Sequence, residues 1–190
     1  MATRKSQRSN SRSRKRTARK KSPSSRRRTQ RRQDAISLLK EDHQEVKTLF
    51  TRFERASGAS EKERLAEKIC NELKLHTRLE EEMFYPAVRE AISDTDLVNE
   101  AEVEHASAKD LINQIEATSP SDERYDALVT VLGEYVRHHI KEEESEMFPK
   151  VRRSGLDLAA MGERLRERKR EEQKAGGGLG SMIFGRTGTS

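Results

Sequence analysis

A repeat carried by the histidines constrains this chain more than any other feature. The stretch HTRLEEEMFYPAVR from His76 aligns with HIKEEESEMFPKVR from His139, so that Glu80 falls on Glu143, Glu81 on Glu144 and Pro86 on Pro149. Upstream, Leu65, Ile69 and Leu73 match Leu128, Leu132 and Val136. The segments before these repeat as well: His43 is followed by Leu49, Phe50, Phe53 and Glu54, and His105 by Leu111, Ile112, Ile115 and Glu116, at the same offsets, with Lys47 on Lys109. Self-similarity of this kind means two copies of one supersecondary unit. Each copy has one His on its first element and a His-x-x-x-Glu on its second.

The elements are helices. Ser60-x-x-Glu63 reads as a capping box ahead of Leu65, Ile69 and Leu73, which recur on one helix face. Ser119, Pro120 and Asp122 read as a second start, ahead of Leu128, Leu132 and Val136. Asp34 and Ser93 or Asp94 start two more, with Ile36, Leu39, Val46, Leu49, Phe50, Phe53 and Leu97, Ala101, Ala108, Leu111, Ile112, Ile115 as buried stripes. Links at Gly58, Ser93 and Pro120 are short, and short links between long helices make antiparallel neighbours. The expected fold is all-α: an up-down-up-down four-helix bundle over residues 34–152, then a short fifth helix over 153–174 around Leu158, Met161 and Leu165 that packs only at its start.

Charge separates the rest of the chain from this body. Of 39 lysines and arginines in 190 residues, 15 fall in residues 1–33 with none of the 33 acids. That segment is at +15 and the remainder at −9. Residues 1–33 have no apolar surface to offset the entropy of ordering and are expected to be a disordered basic arm; residues 175–190 hold six Gly and are expected to be a flexible tail. Cys70 is the only cysteine, which excludes an intrachain disulfide and a cysteine-based metal cluster and fits a reducing compartment. No apolar run approaches the roughly 20 residues of a membrane span, and the basic start lacks the apolar core of a signal. The expected location is the cytoplasm.

Residues four apart share a helix face, so His76 with Glu80, and His139 with Glu143, aim an imidazole and a carboxylate at one spot. Both pairs continue apolar stripes and should face the interior. Buried carboxylates without partners are very costly, whereas direct coordination of divalent ions offsets that cost. With His43 and His105 the set becomes four His and two Glu, suited to iron or manganese and tolerable to zinc. A helical bundle whose core carboxylates bridge two ions is an established architecture.

At KEDHQEV (His43), HTRLEEEMFYP (His76, Glu80), VEHASAKDLI (His105) and HHIKEEESEMFP (His139, Glu143), the sequence resembles the hemerythrin-like family, the HHE cation-binding domains, over about residues 34–165. The resemblance implies a four-helix bundle around two non-haem irons bridged by an oxo or hydroxo group, with Glu80 and Glu143 as bridging carboxylates and the four histidines as terminal ligands. Oxygen-carrying members have a His-x-x-x-His on the third helix; here Ala101 and Lys109 flank His105 at those offsets, so one iron has a ligand fewer, as in the bacterial subgroup. His138 stands five residues before Glu143, the spacing of the oxygen carriers, and is the alternative to His139. Glu81, Glu144 and Glu102 are further carboxylates that would add a ligand or hold a neighbouring His in its tautomer. A ferritin-like site needs Glu-x-x-His on two helices, and only Glu102-x-x-His105 fits.

The function expected from these features is binding or sensing of dioxygen, peroxide or nitric oxide at a di-iron centre; the alternative is an enzyme consuming peroxide or nitric oxide. Tyr85 and Tyr135 read as packing groups. The arm suits a polyanion, whether DNA, RNA or an anionic membrane surface, through phosphate or headgroup neutralisation with little sequence preference. A nucleic-acid target would place the protein on the nucleoid.

Overall fold

The computed structural model describes residues 33–180, with side chains to residue 175. The expected disordered arm, apart from Gln33, and the end of the glycine-rich stretch lie outside these residues. The described part is helical throughout: α1 (Ala35–Arg55), α2 (Ala59–Leu79), α3 (Tyr85–Ala91), α4 (Asp96–Ala117), α5 (Tyr125–Glu142), α6 (Phe148–Arg153) and α7 (Leu158–Gly180). A π turn at Glu80–Phe84 joins α2 to α3, and another at Glu143–Met147 joins α5 to α6, so each pair forms one continuous rod. Four rods make the bundle: α1 packs on α2 and α5, and α4 on α2 and α5.

Local signals account for some of these boundaries. Asp34 caps α1, its Oδ1 accepting from the Ser37 amide at 2.7 Å. The capping box expected at Ser60 does not form; α2 begins on Gly58, whose carbonyl accepts from Glu61 and Lys62, and Ser60 lies inside the helix. The start expected at Pro120 is also displaced. Ser119 and Asp122 close two successive turns, Asp122 Oδ1 taking the Arg124 amide, and α5 starts only at Tyr125. A carboxylate that satisfies a local turn is not free to cap a helix. α4 starts on Thr95 without a side-chain cap, rather than on Ser93 or Asp94.

The π turns end just before Pro86 and Pro149. A proline has no amide hydrogen and its ring crowds the carbonyl four residues back. A wider turn, closed by Tyr85 N–H to Glu80 O and Phe148 N–H to Glu143 O, carries the chain past that conflict without breaking the rod. Both π turns therefore begin at the glutamates of the repeat.

The interior is divided into two apolar clusters. One joins the end of α1 (Val46, Leu49, Phe50, Phe53) to Leu65, Ile69 and Leu73 of α2, Ile112 and Ile115 of α4, and Val129, Leu132 and Val136 of α5. The other joins the start of α1 (Ile36, Leu39) to Phe84, Tyr85 and Val88, Val98 and Ala101, and Met147, Phe148 and Val151. Pairing the end of each helix with the start of the next is the signature of antiparallel rods. Polar side chains occupy the level between the clusters.

The fifth helix is present but displaced: α7, 23 residues long, starts at Leu158 rather than 153 and continues to Gly180 rather than 174. It lies mainly on α1 and α2, burying Met161 and Leu165 in the second cluster. Gly155, at φ +84, makes the turn that leads into it. A Cβ on Gly162 would stand 2.6 Å from the Gln33 carbonyl, so only glycine lets the helix come this close to the start of α1. Ion pairs hold its outer length: Lys169 to Asp42 at 2.6 Å, Arg78 to Glu172 at 2.5 Å and Arg168 to Glu82 at 3.2 Å. It therefore packs well beyond its start.

Candidate metal centre

Each bundle rod contributes to one buried layer. α1 supplies His43, the second rod His76 and Glu80, α4 His105, and the fourth rod His139 and Glu143, none more than 7% exposed. All six predicted side chains meet. His43 Nε2 lies 3.2 Å from His76 Nε2 and 3.3 Å from Glu143 Oε2; His105 Nε2 lies 3.1 Å from His139 Nε2 and 3.5 Å from Glu80 Oε2. His76 Nε2 and His139 Nε2 stand 3.1 and 3.6 Å from the glutamates four residues on. Two groups of donor atoms result, each within 4.8 Å of one another: His43, His76, Glu80 and Glu143, and Glu80, His105 and His139.

An outer carboxylate stands at the far nitrogen of each imidazole. Glu144 meets His43 Nδ1 at 3.0 Å, Glu81 meets His105 Nδ1 at 3.0 Å, Glu104 meets His139 Nδ1 at 2.8 Å, and Asp42 lies 3.8 Å from His76 Nδ1. The hydrogen-bonded carboxylates Glu144, Glu81 and Glu104 favour a proton on Nδ1 of His43, His105 and His139 and leave Nε2 as the inward ligand atom, whereas Asp42 stands too far from His76 Nδ1 for a hydrogen bond. Glu81 and Glu144 thus hold neighbouring histidines, one of the two roles expected of them. Asp42 and Glu104 were not anticipated, although each directly precedes the His of its repeat copy. Glu102 is elsewhere, paired with Arg89 at 2.8 Å on the surface. His138 turns outward, with its side chain 63% exposed, and bonds Glu142.

Tyr85 was expected to be a packing group, and the structure corrects this. Its hydroxyl donates to Glu143 Oε1 at 3.0 Å and lies 3.3 Å from His105 Nε2. The repeat pairs Tyr85 with Phe148, which stacks on His43 at 5.9 Å between centroids, and so conceals the hydroxyl.

The electrostatics of the side chains alone favour a cation. Burial pushes His76 down, but the Glu80 and Asp42 carboxylates outweigh it and raise the imidazole to about 10. Burial also opposes ionisation of Glu143, yet His139, His43 and His76 hold its carboxyl down at about 2. The His105 hydrogen bond, against some burial and with help from Lys109, holds Glu81 at about 2. Burial and the neighbouring carboxylates Glu143 and Glu80 raise the Tyr85 phenol well above its ordinary value.

The donors fit a metal. Both Glu80 oxygens and Glu143 Oε2 are buried without hydrogen-bond partners, and orphaned charged oxygens of this kind are costly. Two pairs of imidazole Nε2 atoms, 3.1 and 3.2 Å apart, gather beside these carboxylates, an arrangement of nitrogen and oxygen donors that suits a shared cation. A pocket lined by Val46, Leu73, Ala108, Val136 and Ile140 leads from the histidines to half-exposed Tyr135. Among the described residues no helix is long and apolar enough to cross a membrane.

Comparison with known proteins agrees. Residues 34–151 match the Hemerythrin HHE cation binding domain. A DNA nickase of Nostoc sp. strain PCC 7120 is 32% identical over 120 residues, which are 63% of this chain and 33% of that protein. The chain thus spans about a third of the length of this curated relative. The crystal structure of a hemerythrin HHE cation binding domain-containing protein from Mycobacterium kansasii superimposes with a TM-score of 0.65 at 28% identity, covering 80% of this chain and 94% of that one. A bundle layered around four histidines and two buried glutamates, and a family match over the same rods, make this chain a member of the hemerythrin HHE cation-binding family.

Proposed function

We propose that the chain is a non-haem di-iron protein that binds or senses dioxygen, peroxide or nitric oxide at the buried centre, and that residues 1–33 hold it on nucleic acid. The observation that carries the reading is the convergence of four Nε2 atoms on two buried carboxylates, with the Nε2 pairs 3.1 and 3.2 Å apart. On this reading His43, His76, His105 and His139 would supply the imidazole ligands, and Glu80 and Glu143 the carboxylate ligands, that hold the iron. A mixed nitrogen and oxygen set suits iron, with manganese and zinc as the competitors.

Bound iron supplies redox chemistry and a coordination position open to a small oxidant. The chain's own residues prepare that position. Glu81, Glu104 and Glu144 fix the tautomers of His105, His139 and His43, Asp42 adds a negative charge beside His76, and Tyr85 orients Glu143 through Oε1. The apolar lining of the pocket excludes water and favours a small, weakly polar ligand over an organic substrate.

The test is anaerobic loading with ferrous ion followed by metal analysis and an optical spectrum in air. Two irons per chain with near-ultraviolet charge-transfer bands are expected. A folded bundle that takes up no iron overturns the reading.

For the arm, 15 positive charges without an acid support binding to phosphates by counterion release. The relative named as a DNA nickase lends further support to a nucleic-acid target. Deleting residues 1–33 should abolish DNA binding at low salt; unchanged binding refutes the assignment. One observation favours a second reading, turnover of peroxide or nitric oxide: the buried Tyr85 hydroxyl is a proton donor beside Glu143. Peroxide loss with the iron-loaded protein, absent in a Glu80→Ala/Glu143→Ala variant, would establish that reading.

A further inference from the structure

The two repeat copies treat the approach to the buried layer differently. On one side Leu38, Leu75 and Leu79 pack with Met161 and Leu165 of α7. The alignment that superimposes the histidines puts Glu100 on Leu38, His138 on Leu75 and Glu142 on Leu79. Where one copy has a leucine face sealed by a helix, the other has two carboxylates and an imidazole.

These side chains are arranged as donors. His138 Nε2 lies 3.1 Å from Glu142 Oε1 and 3.6 Å from Glu104 Oε1, and one donor atom from each residue lies within 4.8 Å of the others. The second oxygen of Glu104 takes His139 Nδ1 at 2.8 Å. A pocket bordered by Glu100, Glu104 and Glu142 continues inward to His139 and Glu143, and Glu143 Oε2 is buried without a hydrogen-bond partner. A polar face without a covering helix needs only polar residues. It does not need three donors converging where two of them, Glu104 and Glu142, border a pocket that reaches a buried carboxylate oxygen without a hydrogen bond.

Charge separates this side further. Lys169 meets Asp42, Lys109 meets Glu81 and Lys40 meets Glu144. Among the described residues, no lysine or arginine pairs with Glu104 or Glu142. A cleft lined by one sign of charge concentrates counter-ions and raises their on-rate.

We propose that Glu104, His138 and Glu142 form an outer site at which a divalent cation is captured on its way to the buried centre. The inference rests on the reading of that centre as a metal site. Carboxylate and imidazole ligands suit a ferrous ion that arrives hydrated and is passed inward along Glu143.

The test is stopped-flow loading of the full chain with ferrous ion under anaerobic conditions, comparing wild type with His138→Gln/Glu142→Gln. Both positions are surface sites, and circular dichroism checks that the fold is kept. The variant should load about tenfold more slowly and reach the same final iron content, and the wild-type rate should fall as salt is raised. Equal rates overturn the proposal, as does a lower final content reached at the wild-type rate. Failure of the wild type to take up iron at all would instead overturn the buried metal site itself.

Discussion

The two hairpins, residues 35–91 and 96–153, place matching donors at matching depths but sit in unlike surroundings. The first is covered by α7, which brings Lys169 onto Asp42 beside His76. Among the described residues the second carries no such cover, and His138 stands near Glu104, the carboxylate equivalent to Asp42. Tyr85 of the first hairpin reaches across to Glu143 of the second, while Phe148, its counterpart, offers His43 only a ring face. What the copies share is the donor layer and its outer carboxylates. What they do not share is access to that layer and a proton donor within it.

The comparison breaks most visibly at the shared carboxylates. Replacing Glu80 and Glu143 together by Ala should reduce metal content to background while helicity is retained, measured by metal analysis and circular dichroism. If both glutamates serve both halves, as proposed, either single variant should lose all bound metal; metal kept by a single variant would show that the halves bind independently.

Glu81→Ala and Glu144→Ala test the equivalence of the outer carboxylates. Each should weaken metal affinity by about 10- to 100-fold, and chelator competition should find the two losses similar. A large inequality would mean that one half dominates.

Protons should compete with the metal. His76, raised to about 10, holds a proton at neutral pH that a ligated metal must displace. Affinity should therefore fall as pH falls, by up to about tenfold per unit for each proton displaced. For the chain without metal the signs differ by group. The contribution of Glu143 is present above 4.5 and lost as pH falls toward about 2, whereas that of His76 is present below 6.5 and lost as pH rises toward about 10. Denaturant midpoints across this range should be highest in the middle.

Two substitutions have smaller expected effects. Tyr85→Phe makes the copies alike at this position and leaves Glu143 Oε1 without its donor, costing about 1–3 kcal/mol by urea unfolding. Gly162→Ala sets a methyl group against the Gln33 carbonyl and should cost about 1–3 kcal/mol, with hydrogen exchange rising in α7 and at the start of α1 but not in α4.

The bundle and the six convergent side chains were legible because burial and repetition left separate marks: stripes at helical spacing, and histidines at equal offsets in two copies. The carboxylates behind the histidines were harder to read. An acid next to a His is unremarkable in a chain with 33 acids, and only the match of Asp42 with Glu104 sets these two apart. Tyr85 was concealed for the opposite reason, since alignment with Phe148 presented it as a ring. Ser60 and Ser119 look like caps, yet nearby backbone and turn bonds satisfy the same amides, a competition settled by geometry that sequence does not carry. The reach of α7 depends on ion pairs with residues more than 90 positions away, beyond any local pattern.

The π turns have a consequence for the winding of the rods. Buried positions spaced by four, such as Leu65, Ile69, Leu73 and Thr77, drift around an α-helix by about 40° at each step. Left alone, the drift would carry Phe84 and Val88 away from the side that holds the first cluster. A turn closed five residues back holds more residues per revolution and takes the drift back, and it begins at Glu80 and, in the second copy, at Glu143. Each long rod can thus face two cores along its length because it changes pitch between them, at the carboxylate itself.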